Sequence, residues 1–417
     1  MIATTETRRP SPWRGWLPLI IAGIVYTAIL SVVVVLRAET STDFRDFWRT
    51  AEHFRQTRQI SSELGVHNYL PFFVIFMAPW TYLPLKLAIV LFTVLSMGLL
   101  ALAVVLVEAL LNGGLGRRPR KATLIGVALL LAYVHSCAVL GQLGLLLLFL
   151  IVATWFLVER GREWEAGVPL GLAALIKLLP VALILFFLLK LRWRVAASAV
   201  IVFLVLGLGL PLASIGYEQT VKQHKAFYKR AIKDHSAAAT IAAEKPRKAK
   251  FNNNALPMVL RRLLSHVNAD PSPQGTELYV NIADLPRTAI WIIYLALLAV
   301  FLAFSVALAL RNRRPWPPDT TEDAAAVRAQ FGLWCCLMLL AAPLVWTHYL
   351  VLAYWPLALL ADRLEHTAGR RCRWCIAAVV FWVICAVLLA WPPARAAGAQ
   401  LASVVFLWLA LTGLALR

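Results

Sequence analysis

Long apolar runs separated by short basic segments recur along this chain, and they constrain its fold more than any other feature. The runs cover residues 17–36, 69–108, 122–158, 166–189, 195–213, 287–310, 329–361, 374–391 and 398–416. A helix needs about 20 apolar residues to cross the hydrocarbon core of a bilayer. With 61% hydrophobic residues in a chain of 417, the pattern predicts an all-α polytopic membrane protein.

Basic residues concentrate in the short segments between the runs. These segments are 117–121, 160–162, 190–194, 311–314 and 370–373. Arg and Lys in such loops hold them on the cytoplasmic side of a membrane. The formal net charge of +20 is therefore assigned to membrane orientation and to contact with membrane lipids, and nucleic acid is excluded as a partner.

This orientation predicts one integral domain over residues 1–417, with segments 38–68 and 214–286 as extracytoplasmic loops. To keep the basic segments on one side, runs 122–158 and 329–361 must each cross twice. The part of run 69–108 between Pro71 and Pro84 would be re-entrant. Run 166–189, broken by Pro180, is either a re-entrant pair or a single helix. The total is about 10–12 transmembrane or re-entrant helices.

The first outer segment has a helical pattern of its own. Phe44, Phe47, Ala51 and Phe54 recur at the spacing of one helix face, with charged residues between them. Ser41 or Thr42 is suited to cap the N-terminus. The pattern predicts an amphipathic helix in the outer membrane interface, with Asp43 in its first turn facing the mouth of a cavity.

Polar residues that the predicted topology brings to the outer side form a candidate active site. They are Asp43, Asp46, His67, Asn68, Tyr69, Gln142, Lys177, Asn252, Asn253, Asn254, Trp346, Thr347, His348 and Tyr349. A carboxylate with a histidine suits the deprotonation of a hydroxyl, and a lysine with amides suits a phosphate leaving group. The set predicts group transfer to an alcohol from a phosphate-activated lipid. Because no outward cluster of His, Asp and Glu has metal-ligand spacing, we expect neither a metal nor another cofactor.

Several segments, in order, resemble glycosyltransferase family 87, the polyprenol-phosphate-mannose-dependent mannosyltransferase type. They are TDFRDFWRTAEHF at 42–54, YLPFFVIFMAPWTYLPLKLA at 69–88, GQLGLLLLFL at 141–150, GVPLGLAALIKLLPVALILFFLL at 167–189, FNNNALPMVLRRLL at 251–264 and APLVWTHYLVL at 342–352. The resemblance implies a GT-C-type fold and an inverting enzyme that uses a lipid-phosphate sugar in place of a nucleotide sugar.

The resemblance also implies roles for individual residues. Asp43 matches the family's general base, and His348 is its catalytic companion in the Trp-x-His segment. The residues assigned to substrate binding are Asp46, Arg45, Arg49, Gln142, Lys177, Asn253, Asn254 and Trp346. We expect Asp46 to pair with Arg45 or Arg49, which would make it a poorer base than Asp43. Lys177, His348 or an arginine of the outer loops would stabilise the departing phosphate.

The expected function is transfer of a hexose or pentose, mannose foremost, from a polyprenyl-phosphate sugar. The acceptor would be a hydroxyl of a lipid-linked or cell-envelope glycan, on the outer side of the plasma membrane. The alternative is a multi-pass lipid or solute transporter (flippase) whose permeation path is lined by the same polar groups. Transporters tend to show paired halves with matching broken helices, and the sequence shows no such pairing.

Overall fold

The structure is a computed structural model of the whole chain. It describes residues 15–39, 42–60, 68–114, 119–246, 249–271, 276–311, 321–366 and 373–416. His67 and Ser41 lie outside these ranges. The described chain is a bundle of helices, which confirms the all-α prediction. Their bounds are α1 Leu17–Arg37, α2 Asp43–Thr57, α3 Pro71–Met77, α4 Leu85–Asn112, α5 Lys121–Leu140, α6 Gly144–Glu159, α7 Glu163–Ile176, α8 Val181–Leu189, α9 Trp193–Leu204, α10 Leu210–Phe227, α11 Ala237–Ala242, α12 Leu256–Leu264, α13 Arg287–Arg311, α14 Thr321–Ala341, α15 Tyr354–His366, α16 Arg373–Val387, α17 Pro392–Ala396 and α18 Ala399–Ala415.

Short turns of other helical types join some of these elements. Residues Ala78–Tyr82 and Thr347–Ala353 form 3-10 helices after α3 and before α15, and a π-helical turn at Val205–Gly209 joins α9 to α10. A second π-helical segment, Tyr228–Lys233, extends α10. The backbone breaks at Gly216 inside α10, close to where the second outer loop was predicted to begin.

Seven helical stretches in the described part of the chain are long and apolar enough to cross a membrane. They are Leu17–Arg37, Leu85–Asn112, Lys121–Leu140, Trp193–Lys233, Arg287–Arg311, Asp323–Ala341 and Arg373–Ala390. Three shorter apolar helical stretches of the described residues accompany them: Pro71–Tyr82, Gly144–Glu159 and Ala399–Ala415. The first stretch is 11% buried and the sixth 72%, so α1 lies at the edge of the bundle and α14 near its centre. The protein is a multi-pass membrane protein.

The described residues of the basic segments at 119–121, 160–162 and 190–194 lie at one end of the bundle. Arg120, just before α5, lies 2.6 Å from Asp362 near the end of α15. Arg328 near the start of α14 lies 2.5 Å from Glu159 at the end of α6. Helices α5 and α6 therefore form one hairpin and α14 with α15 another, both with their turns at the opposite end.

Helices α7 and α8 form a re-entrant pair. Arg192, which precedes α9, lies 2.6 Å from Glu163 at the start of α7, so both ends of the pair lie at the basic end of the bundle. Lys177 has extended backbone at the tip, and α8 begins after Pro180. Of the two alternatives that the sequence left open for run 166–189, the geometry is that of the re-entrant pair.

The tip of this pair is positioned by close packing of α7 on α9. A Cβ on Gly171 would lie 2.5 Å from the carbonyl oxygen of Ala199. Only glycine permits this approach, because any side chain would push the helices apart. The position of α7 relative to α9 fixes the depth that Lys177 reaches.

Helix α2 forms as the sequence predicted. Thr42 caps it by accepting a hydrogen bond from the backbone N–H of Arg45 at 3.3 Å. The buried face carries Phe44, Phe47, Thr50, Ala51 and Phe54. Phe44 packs on Phe92 of α4 and Phe47 on Phe73 of α3. Because Thr42 supplies the cap, the Asp43 carboxylate is available for other contacts.

Candidate active site

A pocket of about 700 Å³ lies at the end of the bundle opposite the basic segments. Its walls come from α2, the 68–70 turn, the α5–α6 turn, the α7–α8 tip, the 227–235 segment, the 341–349 segment and the α16–α18 connection. Of the residues with a role assigned from the sequence, those that line it are Asp43, Asp46, Gln142, Lys177, Trp346 and His348. Asn68, Tyr69 and Tyr349 line it too. Segments from both predicted outer loops thus meet in one cavity.

Gln142 links the carboxylate of Asp43 to the amine of Lys177 in this pocket. Its Nε2 donates a hydrogen bond to Asp43 Oδ2 at 2.5 Å, and its Oε1 accepts one from Lys177 Nζ at 3.3 Å. The two bonds require opposite ends of the amide, so the orientation of the Gln142 side chain is determined.

Gly141 allows this contact to form. It ends α5 in the left-handed conformation with φ +65°, and a Cβ there would lie 2.5 Å from Cβ of Phe44. Glycine alone fits both the backbone angle and the contact. The Gly-Gln pair recognised in the sequence therefore has a physical basis: the glycine brings α2 against the α5–α6 turn, and the glutamine then reaches Asp43.

Lys177 lies among aromatic rings as well as beside Gln142. Its Nζ is 3.8 Å from the centroid of the Tyr349 ring and 5.8 Å from that of Tyr69. The face of an aromatic ring attracts a cation, and more strongly where water is excluded. Two tyrosines and one amide oxygen thus stabilise an ammonium group at the tip of the re-entrant pair.

His348 is buried in the pocket wall next to this lysine. It is 4% exposed, and its ring packs edge-on against Tyr349 with centroids 4.8 Å apart. Its Nε2 has no hydrogen-bond partner among the described residues. A buried ring nitrogen without a partner loses stabilising free energy. Because the atom is enclosed, a bound molecule would reach it only if the pocket wall shifts.

Asp46, Arg45 and Arg49 contribute less to the pocket than Asp43 does. Arg45 Nη2 lies 3.4 Å from Asp46 Oδ1, and Arg45 Nη1 donates to the Glu39 carbonyl at 2.7 Å. Asp46 lines the pocket, whereas Arg45 and Arg49 are not among its lining residues. Arg49 lies on α2 away from the face that carries the buried phenylalanines.

Asn253 and Asn254 lie behind the pocket wall. Asn253 Oδ1 accepts hydrogen bonds from the backbone of Ala255 and Val345, and the backbone N–H of Asn254 donates to the Val345 carbonyl at 2.6 Å. Both side chains are buried. They tie the second outer loop to the segment that carries Trp346, so the position of that segment depends on them although they do not line the pocket.

Arg395 and Asn252 are among the pocket residues that had no role assigned from the sequence. Arg395 in α17 and Asn252 both line the cavity. Arg395 follows Trp391-Pro392-Pro393 between the last two apolar runs, a proline break at the pocket end of the bundle. That break was the available signal, because the other breaks at this end also contribute pocket residues.

The described residues contain no group of three or more His, Cys, Asp or Glu side chains placed to hold a metal ion. The expectation that transfer needs no metal stays a prediction, with its test given below.

Comparison with known proteins identifies the family of this chain. The model of glycosyltransferase family 87 matches residues 67–343. An alpha-(1->3)-arabinofuranosyltransferase of Mycobacterium tuberculosis is 27% identical over 199 residues, 44% of this chain and 44% of that protein. A polyprenol-phosphate-mannose-dependent alpha-(1-2)-phosphatidylinositol mannoside mannosyltransferase of Mycolicibacterium smegmatis is 26% identical over 370 residues, 83% of this chain and 72% of that protein. No solved structure matches the chain.

These matches differ in how much they cover. This chain spans less than half of the length of the arabinofuranosyltransferases that it matches. The family match includes Gln142 and Lys177, begins after Asp43 and ends before Trp346 and His348. It covers more than half of the chain and confirms the resemblance found in the sequence: the protein belongs to glycosyltransferase family 87.

Proposed function

We propose that this protein is a membrane glycosyltransferase that moves a sugar from a polyprenyl-phosphate donor to a hydroxyl of a lipid-linked or cell-envelope glycan. Family membership supports sugar transfer. The names of the two kinds of relative support a hexose or pentose, one being a mannosyltransferase dependent on polyprenol-phosphate mannose and the other an arabinofuranosyltransferase. Mannose is the first candidate, because the mannosyltransferase aligns with the larger share of this chain.

The observation that carries the proposal is the Asp43 carboxylate, which lines the pocket and accepts a hydrogen bond from Gln142. In the proposed step Asp43 takes the proton of the acceptor hydroxyl as its oxygen bonds to the anomeric carbon. The bond from that carbon to the phosphate oxygen breaks, and the polyprenyl phosphate leaves with the electron pair. A single displacement of this kind inverts the anomeric configuration.

The remaining pocket residues would bind and orient the two substrates. Trp346 offers an aromatic surface for a sugar ring, and His348 Nε2 can exchange a hydrogen bond with a substrate oxygen once the pocket wall shifts. Lys177 offsets negative charge near the reacting centre and helps to hold Gln142. Asp46 lines the same cavity beside Arg45. Arg49, Asn253 and Asn254 would support the walls that carry these groups.

We place the pocket on the extracytoplasmic side of the plasma membrane. The support is the gathering of the basic segments at the opposite end of the bundle, through contacts such as Arg120–Asp362 and Arg328–Glu159, because basic loops stay in the cytoplasm. The pocket would then open where the lipid-linked sugars of the outer leaflet are available. All segments of the chain would belong to one catalytic domain.

The test is transfer by the purified protein in lipid nanodiscs. Polyprenyl phosphates bearing mannose, arabinofuranose or glucose would be offered with a glycolipid extract as acceptor, and the product linkage read by NMR. We expect one donor to be consumed, with the product opposite to the donor in anomeric configuration. If the protein in liposomes moves these lipids between leaflets and no donor yields a glycoside, the transporter alternative replaces the enzyme.

A further inference from the structure

Arg395 is a half-buried cation in the pocket, and no carboxylate of the described residues pairs with it. It lies on α17, in the connection between α16 and α18, and its Nη2 donates to Asn252 Oδ1 at 2.8 Å. Its guanidinium also lies over the Phe251 ring, 4.6 Å from the centroid. Its Nε is buried without a hydrogen-bond partner within the described part of the chain. The salt bridges of that part join other residues.

Other buried or half-buried arginines are committed to structural contacts. Arg192 and Arg328 pair with Glu163 and Glu159 at the basic end of the bundle. Arg262 donates to the carbonyl oxygens of Ala249, Lys250 and Asn253, which holds the second outer loop in place. Arg395 lines the cavity and has one neutral acceptor and one ring among the described residues, fewer partners than its guanidinium has N–H groups.

The guanidinium of Arg395 remains positively charged in the pocket. Burial lowers the pKa of its guanidinium from the ordinary value, but the ordinary pKa of arginine is so high that the group stays protonated in proteins. Burying such a charge costs free energy unless an anion or several hydrogen bonds compensate it. A pocket that keeps this cation at its wall is therefore suited to an anionic molecule.

Lys177, also a half-buried cation of the pocket, is less available to an anion. Its ammonium already contacts Gln142 Oε1 and the Tyr349 ring, and Gln142 connects it to the Asp43 carboxylate. Arg395 belongs to a separate group of contacts with Asn252 and Phe251. The pocket thus holds two groups of contacting residues. One surrounds the proposed base Asp43, and the other surrounds Arg395.

We propose that Arg395, held by Asn252, binds the phosphate of the lipid-linked sugar donor. This inference rests on the proposed function and names the subsite for its donor. The planar guanidinium can donate two parallel N–H bonds to phosphate oxygens, which a lysine cannot reproduce. As the bond between sugar and phosphate breaks, the charge on the phosphate grows, and Arg395 stabilises the leaving group at that stage.

The test measures binding, so it does not depend on the identity of the sugar or the acceptor. The probes are geranylgeranyl phosphate and geranylgeraniol, which differ only in the phosphate, and glycerophosphoinositol, which carries a phosphate of the acceptor type. The proteins, in nanodiscs, are wild type, Arg395→Gln, Arg395→Lys, Asn252→Asp and the control Arg55→Gln. Arg55 is matched to Arg395, because it donates to the Thr81 hydroxyl and lies 5.1 Å from the Tyr82 ring centroid, but it does not line the pocket.

We expect Arg395→Gln to weaken geranylgeranyl phosphate binding by about 10- to 100-fold, the range for loss of charge-assisted hydrogen bonds. Binding of geranylgeraniol should not change, and Arg395→Lys should recover part of the loss. Asn252→Asp should weaken phosphate binding without leaving a cavity, because its carboxylate would pair with Arg395. It therefore tests the proposal even if Arg395→Gln fails to fold. The Arg55 control should bind as the wild type does.

Three results would overturn the inference. If Arg395→Gln and Asn252→Asp bind geranylgeranyl phosphate as tightly as the wild type, the phosphate subsite lies elsewhere. If only glycerophosphoinositol binding falls, Arg395 recognises an acceptor. If the wild type binds geranylgeraniol as tightly as geranylgeranyl phosphate, the pocket has no phosphate subsite. Failure of sugar transfer together with normal phosphate binding would count against the proposed function alone.

Discussion

Replacing Asp43 and Asp46 separately with asparagine tests the proposed general base. Both residues lie on the first turns of α2 and line the pocket. In Asp43→Asn the side chain would keep its size, and its amide oxygen could still accept the hydrogen bond from Gln142 Nε2. The amide could not take a proton from the acceptor. The variant therefore removes the proposed chemistry while leaving the local contacts in place.

The expected effects differ by orders of magnitude. Loss of a positioned base costs about 10²- to 10⁴-fold in rate, or about 2.7–5.4 kcal/mol in the activation barrier. The Asp46 side chain is 48% exposed and lies 3.4 Å from Arg45. An ion pair this exposed is worth about 0–1 kcal/mol. Even if all of that were lost from the transition state, Asp46→Asn would slow transfer only about fivefold.

The assay is steady-state transfer in nanodiscs, with kcat and KM measured for each variant and donor binding measured separately. We expect Asp43→Asn to lose nearly all turnover and to bind donor normally, while Asp46→Asn keeps a measurable fraction of kcat. An active Asp43→Asn beside an inactive Asp46→Asn would assign the base to Asp46. Wild-type rates in both variants would refute the mechanism.

Three other changes test the site and its orientation. Gly141→Ala should lower kcat more than about tenfold, because the new Cβ would overlap Phe44 at a positive φ and displace the Gln142–Asp43 contact. The control Gly98→Ala, with no atom within 4 Å of the new Cβ, should leave kcat unchanged. Equal rates in the two variants would show that the packing of α2 on Gly141 is dispensable. Single cysteines at Thr57 and Lys229 should both react with a membrane-impermeant maleimide in intact cells, and labelling at one position alone would contradict the topology. Chelation with EDTA should leave transfer unchanged; loss of activity that Mn²⁺ or Mg²⁺ restores would establish a metal requirement.

Much of the site was predictable because the basic segments define one end of the bundle. Once these segments are assigned to one side, the breaks that carry Gln142, Lys177 and Trp346 must fall together at the other. The helical spacing of the phenylalanines in α2 likewise places Asp43 beside the bundle. These inferences need only membrane length, charge and periodicity, and Asp43, Gln142, Lys177 and Trp346 do line one pocket.

Side-chain direction within the outer loops was not predictable in the same way. Asn252, Asn253 and Asn254 are identical in type, yet only the first lines the pocket. The choice depends on two hydrogen bonds to the backbone of Val345, a residue far along the chain from all three. The backbone N–H of Asn254 donates to the Val345 carbonyl, and Asn253 Oδ1 accepts from the Val345 N–H. Arg395 was missed although the proline break before it marks the end of the bundle where it lies. Its partner Asn252 is far from it in sequence, so the break alone does not show that the two residues meet.

The re-entrant pair α7–α8 has a consequence for the order in which the protein can assemble. Lys177 contacts Gln142, which is synthesised before it, and the Tyr349 ring, which is synthesised long after it. Until the nascent chain includes Tyr349, the ammonium group lacks its nearest ring. A lysine at membrane depth without its partners is costly. The α7–α8 hairpin would therefore reach its final position only after the segment before α15 has been synthesised. In ribosome-bound chains truncated at α10, the tip at Lys177 should not yet be fixed in that position.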